Sequence, residues 1–221
     1  MRVENKNAVL EGLKVGGGEE FKKHVVFSIM TTENAEGILE KIPYRRHLDF
    51  VVYYQLFFAD EKQGEDYVRI DNEIAEKMDV SEQNLYDLAM ENTEKQLGLH
   101  VETFQALDPI GIMKTCRPMK VIFNHFGKNA SAYILLTNVL KDVADEFRSD
   151  ILLTISTTYE IVVFQVDKEN NDLAENLLSA SRNVIELGDV DAEDLMTGSV
   201  YIYKQKTGDV ELLLDAKERE M

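Results

Sequence analysis

The chain has 221 residues, 44% hydrophobic and 29% charged, enough apolar material for the core of an ordinary globular protein. Its 41 acidic residues against 24 basic ones leave a formal charge of −17, which repels a phosphate backbone and disfavours direct nucleic-acid binding. The apolar runs are strand-sized, so no membrane-crossing segment is predicted, and Cys116, the one cysteine, can form no disulfide within the chain; a reducing cytoplasm is the expected setting.

No Pro/Ser-rich linker divides the sequence, so one domain is expected, with sub-lobes at about 20–128 and 129–221. Asn7 to Val15 is rich in β-formers and reads as a first strand. Gly16-Gly17-Gly18 ends it in a flexible joint, of the kind a linker makes where a segment has been removed. His24 to Ile29 reads equally as a strand or a short buried helix. Ala35, Ile38, Leu39 and Ile42 fall at helical spacing, with Thr32 or Asn34 as cap and Pro43 as stop. Leu48 to Phe58 is β-branched and aromatic almost throughout, a strand buried on both faces. The polar turn from Ala59 to Asp66 and the return strand Tyr67 to Ile70 make it a hairpin.

Ser81 caps a helix through Leu85, Leu88, Ala89 and Asn92, with Val80 and Leu85 placed as a hydrophobic staple. Asn84 stands where a full capping box would carry Glu or Gln. Leu97 to Phe126, broken by Pro109, Gly111 and Pro118, resists assignment. Tyr133 to Thr137 reads as a strand, and Asn138 caps a helix carrying Leu140, Val143, Ala144 and Phe147. Ile151 to Ile155 and Glu160 to Val166 form a hairpin around the turn Ser156 to Tyr159. Leu173, Leu177, Ala180, Val184 and Leu187 make a helical stripe, opened by Asn171 or Asp172, closed by Gly188 and expected to be core. Val200 to Tyr203 and Val210 to Leu214 form a last hairpin. The fold class implied is α+β, with mixed, largely antiparallel sheets flanked by helices.

Two places concentrate polar groups beside apolar strands. Tyr44, Arg45, Arg46, His47 and Asp49 precede the buried strand; paired guanidinium donors there can hold a carboxylate or phosphate, with His47 or Asp49 as acid–base group. The competing reading is that Arg45 and Asp49 tie this turn to neighbouring acidic segments, in a chain where acids are abundant. Thr157, Thr158, Tyr159 and Glu160 form a hydroxyl-rich turn with several donors at one sheet end, or simply a hairpin turn. Asp189, Asp191, Glu193 and Asp194 bring calcium to mind, but Asp194 stands where an EF-hand loop needs Gly and Val200 where it needs Glu. No nucleophile elbow, zinc motif, phosphate loop or dinucleotide fingerprint occurs, so no catalytic residue, metal or cofactor is implied.

Asn5 to Leu13, Pro43 to Asp49, Ser81 to Tyr86 with Glu91 to Thr93, and Asp150 to Ile161 resemble an uncharacterised bacterial family, a domain of unknown function common in anaerobic Gram-positive gut bacteria. That family has a longer helical segment where Gly16 to Gly18 stand here, and an upstream helix, so the chain looks like either a shortened relative or a trimmed one. It also tends to carry Pro and His where this chain has Ile155 and Tyr159. The resemblance implies a fold and no activity. The leading expectation is therefore a cytoplasmic, non-enzymatic interaction or ligand-binding module, for a protein partner or a small anionic ligand, its oligomeric state open. The rivals are a small hydrolase or transferase acting on an anionic ligand through Arg45, Arg46, His47, Asp49 or Glu160, and an acidic DNA mimic.

Overall fold

The computed structural model describes residues 18–60, 64–105, 118–166 and 172–217. The strand expected from Asn7 to Val15 and the breakers Pro109 and Gly111 lie outside them. By contact the chain divides into two compact units, one of Val51–Gly98 with the described residues up to His47, the other of Leu48–Phe50 with the residues from Leu99 onward. The second of these units takes in strands from the stretch Leu97 to Phe126, which pair into its sheet.

In the first unit, α1 (Gly18–His24) leads into β1 (Val25–Thr31), all of whose residues are buried. The run from His24 is thus a strand. The unpredicted helix before it has glutamates in its first turn and Lys22, Lys23 and His24 in its last, matching the helix dipole. The helix expected from Ala35 to Ile42 is split. α2 (Thr32–Ala35) is capped by Thr31, whose hydroxyl accepts from the Asn34 amide at 3.1 Å; Gly37 then turns at φ 78°, and a 3₁₀ turn covers Leu39–Lys41. Ala35 and Ile42 still bury in one cluster with Met30, Val51 and Tyr53, so the spacing recorded a shared apolar side and not a continuous helix.

Strands β2 (Tyr44–His47), β3 (Phe50–Asp60) and β4 (Gly64–Arg69) complete a sheet in which β3 pairs with β1, β2 and β4. The predicted hairpin is present, antiparallel from Gln55↔Arg69 to Asp60↔Gly64. An unpredicted short helix, α3 (Asn72–Lys77), is capped by the Asp71 carboxylate. Ser81 opens α4 (Glu82–Leu97) as expected, and its box is complete: the Asn84 side chain accepts from the Ser81 amide at 3.2 Å while Ser81 accepts from the Asn84 amide. Thr93 of α4 accepts from the Phe27 amide at 2.9 Å and donates to Ala89 O, so helix and strand share a buried hydrogen bond.

In the second unit, β5 (His100–Gln105), β6 (Pro118–Phe123), β7 (Ile151–Thr154), β8 (Ile161–Gln165), β9 (Val200–Tyr203) and β10 (Val210–Leu214) form one sheet in the order β10-β9-β7-β8-β6-β5. Every neighbouring pair is antiparallel. Register sorts its side chains, because directly paired residues share a face. Met119, Phe164, Leu152 and Ile202 line one face; Lys120, Val163, Leu153 and Tyr201 line the other. The first face is covered by α6 (Leu173–Leu187), in a cluster joining Leu152, Phe164, Val200 and Ile202 to Leu173, Leu177 and Leu178. On the second face Lys120 reaches Glu146 of α5 (Thr137–Phe147) at 2.8 Å.

The strand expected over Tyr133 to Thr137 is instead a wholly buried 3₁₀ segment, Ala130–Leu135. Burial on all sides gives the same unbroken apolar run that a central strand does. α5 begins without a side-chain cap, with Leu136 in the capping place and Asn138 inside the first turn. The fold is α+β, with antiparallel sheets flanked by helices. Among the described residues no helix is long and apolar enough to cross a membrane.

Candidate functional site

β2 is a strand, so its side chains alternate. Arg45 and His47 share one face and Tyr44 and Arg46 the other, which denies the two arginines a joint grip on one anion. Arg45 bonds both Glu82 oxygens at 2.8 Å, reaches Gln83 Oε1 at 3.2 Å and lies 3.6 Å from the centroid of the Tyr86 ring. The Tyr54 hydroxyl donates to the same Glu82 carboxylate. Burial acts to raise the Glu82 carboxyl, but the bonds from Arg45 and Tyr54 outweigh it and hold the group below its ordinary value. His47 is pushed down, first by burial and then by the Arg45 charge. Tyr44 packs on the Met30–Ile42–Tyr53 cluster, and Arg46 is exposed.

Asp49 accepts from Ser199 Oγ at 2.8 Å and Tyr201 Oη at 2.7 Å, both in the second unit to which Asp49 itself belongs. Within the first set Arg45 joins Glu82 and Asp49 joins two hydroxyls; Arg45 and His47 belong to the first unit, Asp49 and Glu160 to the second.

The second set is organised by a residue that motif reading dismissed with its failed calcium loop. Asp194, at the end of the 3₁₀ turn Ala192–Asp194, is buried. It accepts from Thr158 Oγ1 at 3.0 Å and Tyr159 Oη at 2.7 Å, pairs with Lys128 at 3.4 Å, and takes the Thr158 amide on its own carbonyl at 2.8 Å. The bond to Asp194, with burial second, pushes the Tyr159 phenol up to about 12. These bonds pin the turn, and its Thr157 and Glu160 line a cleft of about 160 Å³.

The cleft floor is Thr154 of β7 with Val162 and Phe164 of β8; its wall is Leu177, Ala180, Ser181 and Val184 of α6; Ser156, Thr157 and Glu160 close the end. The α6 contributors recur at helical spacing, one face of the stripe. Ser181 accepts from Thr154 Oγ1 at 3.0 Å and lies 2.5 Å from Ser156 Oγ. Burial raises the Glu160 carboxyl, although the residue as a whole reaches solvent. No hydrogen bond joins Glu160 to either serine among the described residues, so the hydroxyl chain has no oriented base.

Here the stripe expected as core leaves the core. Leu173 and Leu177 are 2% and 6% exposed, whereas Val184 is 46% and Leu187 84% exposed. Spacing identified the apolar side of α6 but not the point where the sheet beneath it ends. Among the described residues no group of three or more His, Cys, Asp or Glu side chains is arranged to hold a metal ion.

No curated protein and no solved structure matches the chain. Residues 4–205 match the model of a family of unknown function, DUF5688, and the chain belongs to that family.

Proposed function

We propose that this protein is a non-enzymatic interaction module whose cleft between α6 and the β7–β8 end of the sheet receives an apolar side chain of a protein partner, flanked on that partner by lysine or arginine. The observation that carries this reading is the α6 stripe, which runs from core through the cleft wall to exposed Leu187. A cleft of about 160 Å³ suits one side chain, whereas small-molecule sites typically enclose about 300–1,000 Å³. The surroundings are acidic: Glu186, Asp189, Asp191 and Glu193 are exposed around and beyond the end of α6, and the whole chain carries −17. Like charge would repel an acidic partner and steer a cationic one toward the apolar anchor point. The proposal takes the bacterial cytoplasm, of the anaerobic Gram-positive kind, as its setting.

An enzyme acting on an anionic ligand has less support, since Arg45 is engaged by Glu82 and, among the described residues, no base is hydrogen-bonded to Ser156 or Ser181. The test is selection from a random peptide library on the full chain. Enriched peptides should carry an apolar anchor between cationic residues, and should lose binding at least tenfold to Ala180→Trp, which fills the cleft, and to Leu187→Asp. Phe104→Asp, an exposed apolar site on β5, should leave binding unchanged. Absence of enrichment, or binders indifferent to Ala180→Trp, would sink the proposal.

A further inference from the structure

The antiparallel ladder of β5 and β6 sets His100 directly opposite Phe123 and runs on through Gln105↔Pro118. His125 follows Phe123 by two residues, and its ring meets that of His100 edge-to-face with centroids 4.0 Å apart. The His100 Nε2 lies 3.0 Å from Nδ1 and 2.9 Å from Nε2 of His125, so it rests over the face of the His125 ring beside both of its nitrogens. Phe123 stacks on His100 at 5.3 Å, and Phe126 stands edge-on to His125 at 6.5 Å, giving both rings an aromatic backing. His125 is exposed and His100 half-buried, so an ion can reach the pair from solvent.

We infer that His100 and His125 form a two-imidazole binding site for a late divalent transition-metal ion, copper or nickel above zinc, with water completing its coordination. Metal–imidazole bonds of about 2.0 Å put two nitrogens roughly 2.8 Å apart at the right angle of a square-planar ion, and about 3.3 Å apart around a tetrahedral one. The nitrogen spacings of 2.9 and 3.0 Å fall between the two, so the rings have to turn, but not to separate, for both to reach one ion. The proposed site therefore has both rings turning about their soft terminal torsions, to bring an in-plane lone pair of each to one ion on the solvent side. Without metal, His100 Nε2 stays against the π face of the other ring. With metal, both nitrogens must be unprotonated and binding releases protons. The pair belongs to the β5–β6 edge of the sheet and shares no residue with the α6 cleft, so the two readings stand or fall separately.

The test uses the untagged full chain and free copper(II) at mildly alkaline pH, followed by calorimetry and by electron paramagnetic resonance. One ion per chain with two-nitrogen coordination is the expected result. His100→Gln and His125→Gln should each weaken binding at least tenfold, with unchanged circular dichroism, while His24→Gln and His47→Gln leave it intact. If the His100→Gln/His125→Gln double variant bound copper as tightly as the parent, or if either control variant weakened it equally, the assignment would be overturned.

Discussion

Arg45 grips both oxygens of Glu82, Nε to Oε1 and Nη2 to Oε2 at 2.8 Å each, with the Tyr86 ring stacked against its guanidinium. Parallel N–H donors to one carboxylate form the most geometrically specific ion pair a protein can make, and lysine cannot reproduce it. Both side chains are about one-third exposed, at 30% and 32%, which tempers the gain. A double-mutant cycle with Arg45→Met and Glu82→Gln should give a coupling of about 1–2 kcal/mol in chemical denaturation. Arg45→Lys should recover less than half of it. An Arg45 held ready for a ligand would instead show coupling near zero. Because Glu82 is held below its ordinary carboxyl value, this stabilisation is complete above that value and disappears as pH falls through the depressed one.

The two halves of α6 should answer truncation differently. Leu177 is 6% exposed within the Leu152–Phe164–Ile202 cluster, so Leu177→Ala should cost about 2–4 kcal/mol through lost burial and the cavity left behind. Leu187, two turns or more beyond it and 84% exposed, should change stability by no more than about 0.5 kcal/mol as Leu187→Ala. Denaturant midpoints separate these outcomes. Comparable losses at both positions would mean that Leu187 is covered in solution.

That contrast also marks what the sequence could disclose. Hairpins were legible wherever two apolar runs flanked a polar turn, as at β3–β4, β7–β8 and β9–β10, because alternation and turn chemistry are local. Elements whose apolar character came from enclosure were not. Ala130–Leu135 is buried all round and read as a strand, while Ala35 and Ile42 shared a cluster without sharing a helix. At the candidate sites the residue types were visible, but their partners lay far along the chain. Nothing near Arg45 announces Glu82, and nothing near Thr158 announces Asp194. The α6 stripe was legible as apolar; its exposure depends on where the sheet stops, which no helix records in its own spacing.

Asp194 gathers two hydroxyls, an ammonium and a backbone turn around one buried carboxylate. Asp194→Ala strips Thr158 and Tyr159 of their acceptor and should cost about 2–3 kcal/mol. Asp194→Asn keeps the shape but offers one acceptor oxygen and should fall between. Spectrophotometric titration gives an independent check. In Asp194→Asn the Tyr159 phenol should ionise closer to its ordinary range than the value of about 12 it holds beside the carboxylate. A Tyr159 titration unmoved by the substitution would show that the bond is not maintained in solution.

Glu160 and His47 give folding opposite dependences on pH. Burial raises Glu160, so the fold favours its neutral form: that preference contributes fully below the ordinary carboxyl value and is lost as pH rises through the raised one. Burial and Arg45 lower His47, so the fold favours neutral imidazole: its contribution is full above the ordinary histidine value and is lost as pH falls through the lowered one. Glu160→Gln should therefore raise the melting temperature at neutral pH and have little effect in acid, whereas His47→Gln should flatten the decline between neutral and mildly acidic pH. The Glu160 substitution also bears on the cleft. A seated apolar side chain removes further water from the carboxylate, a cost that a cation on the partner offsets. Glu160→Gln should thus tighten binding of peptides lacking flanking lysine or arginine and weaken binding of peptides that carry them, a reversal that loss of fold alone would not produce.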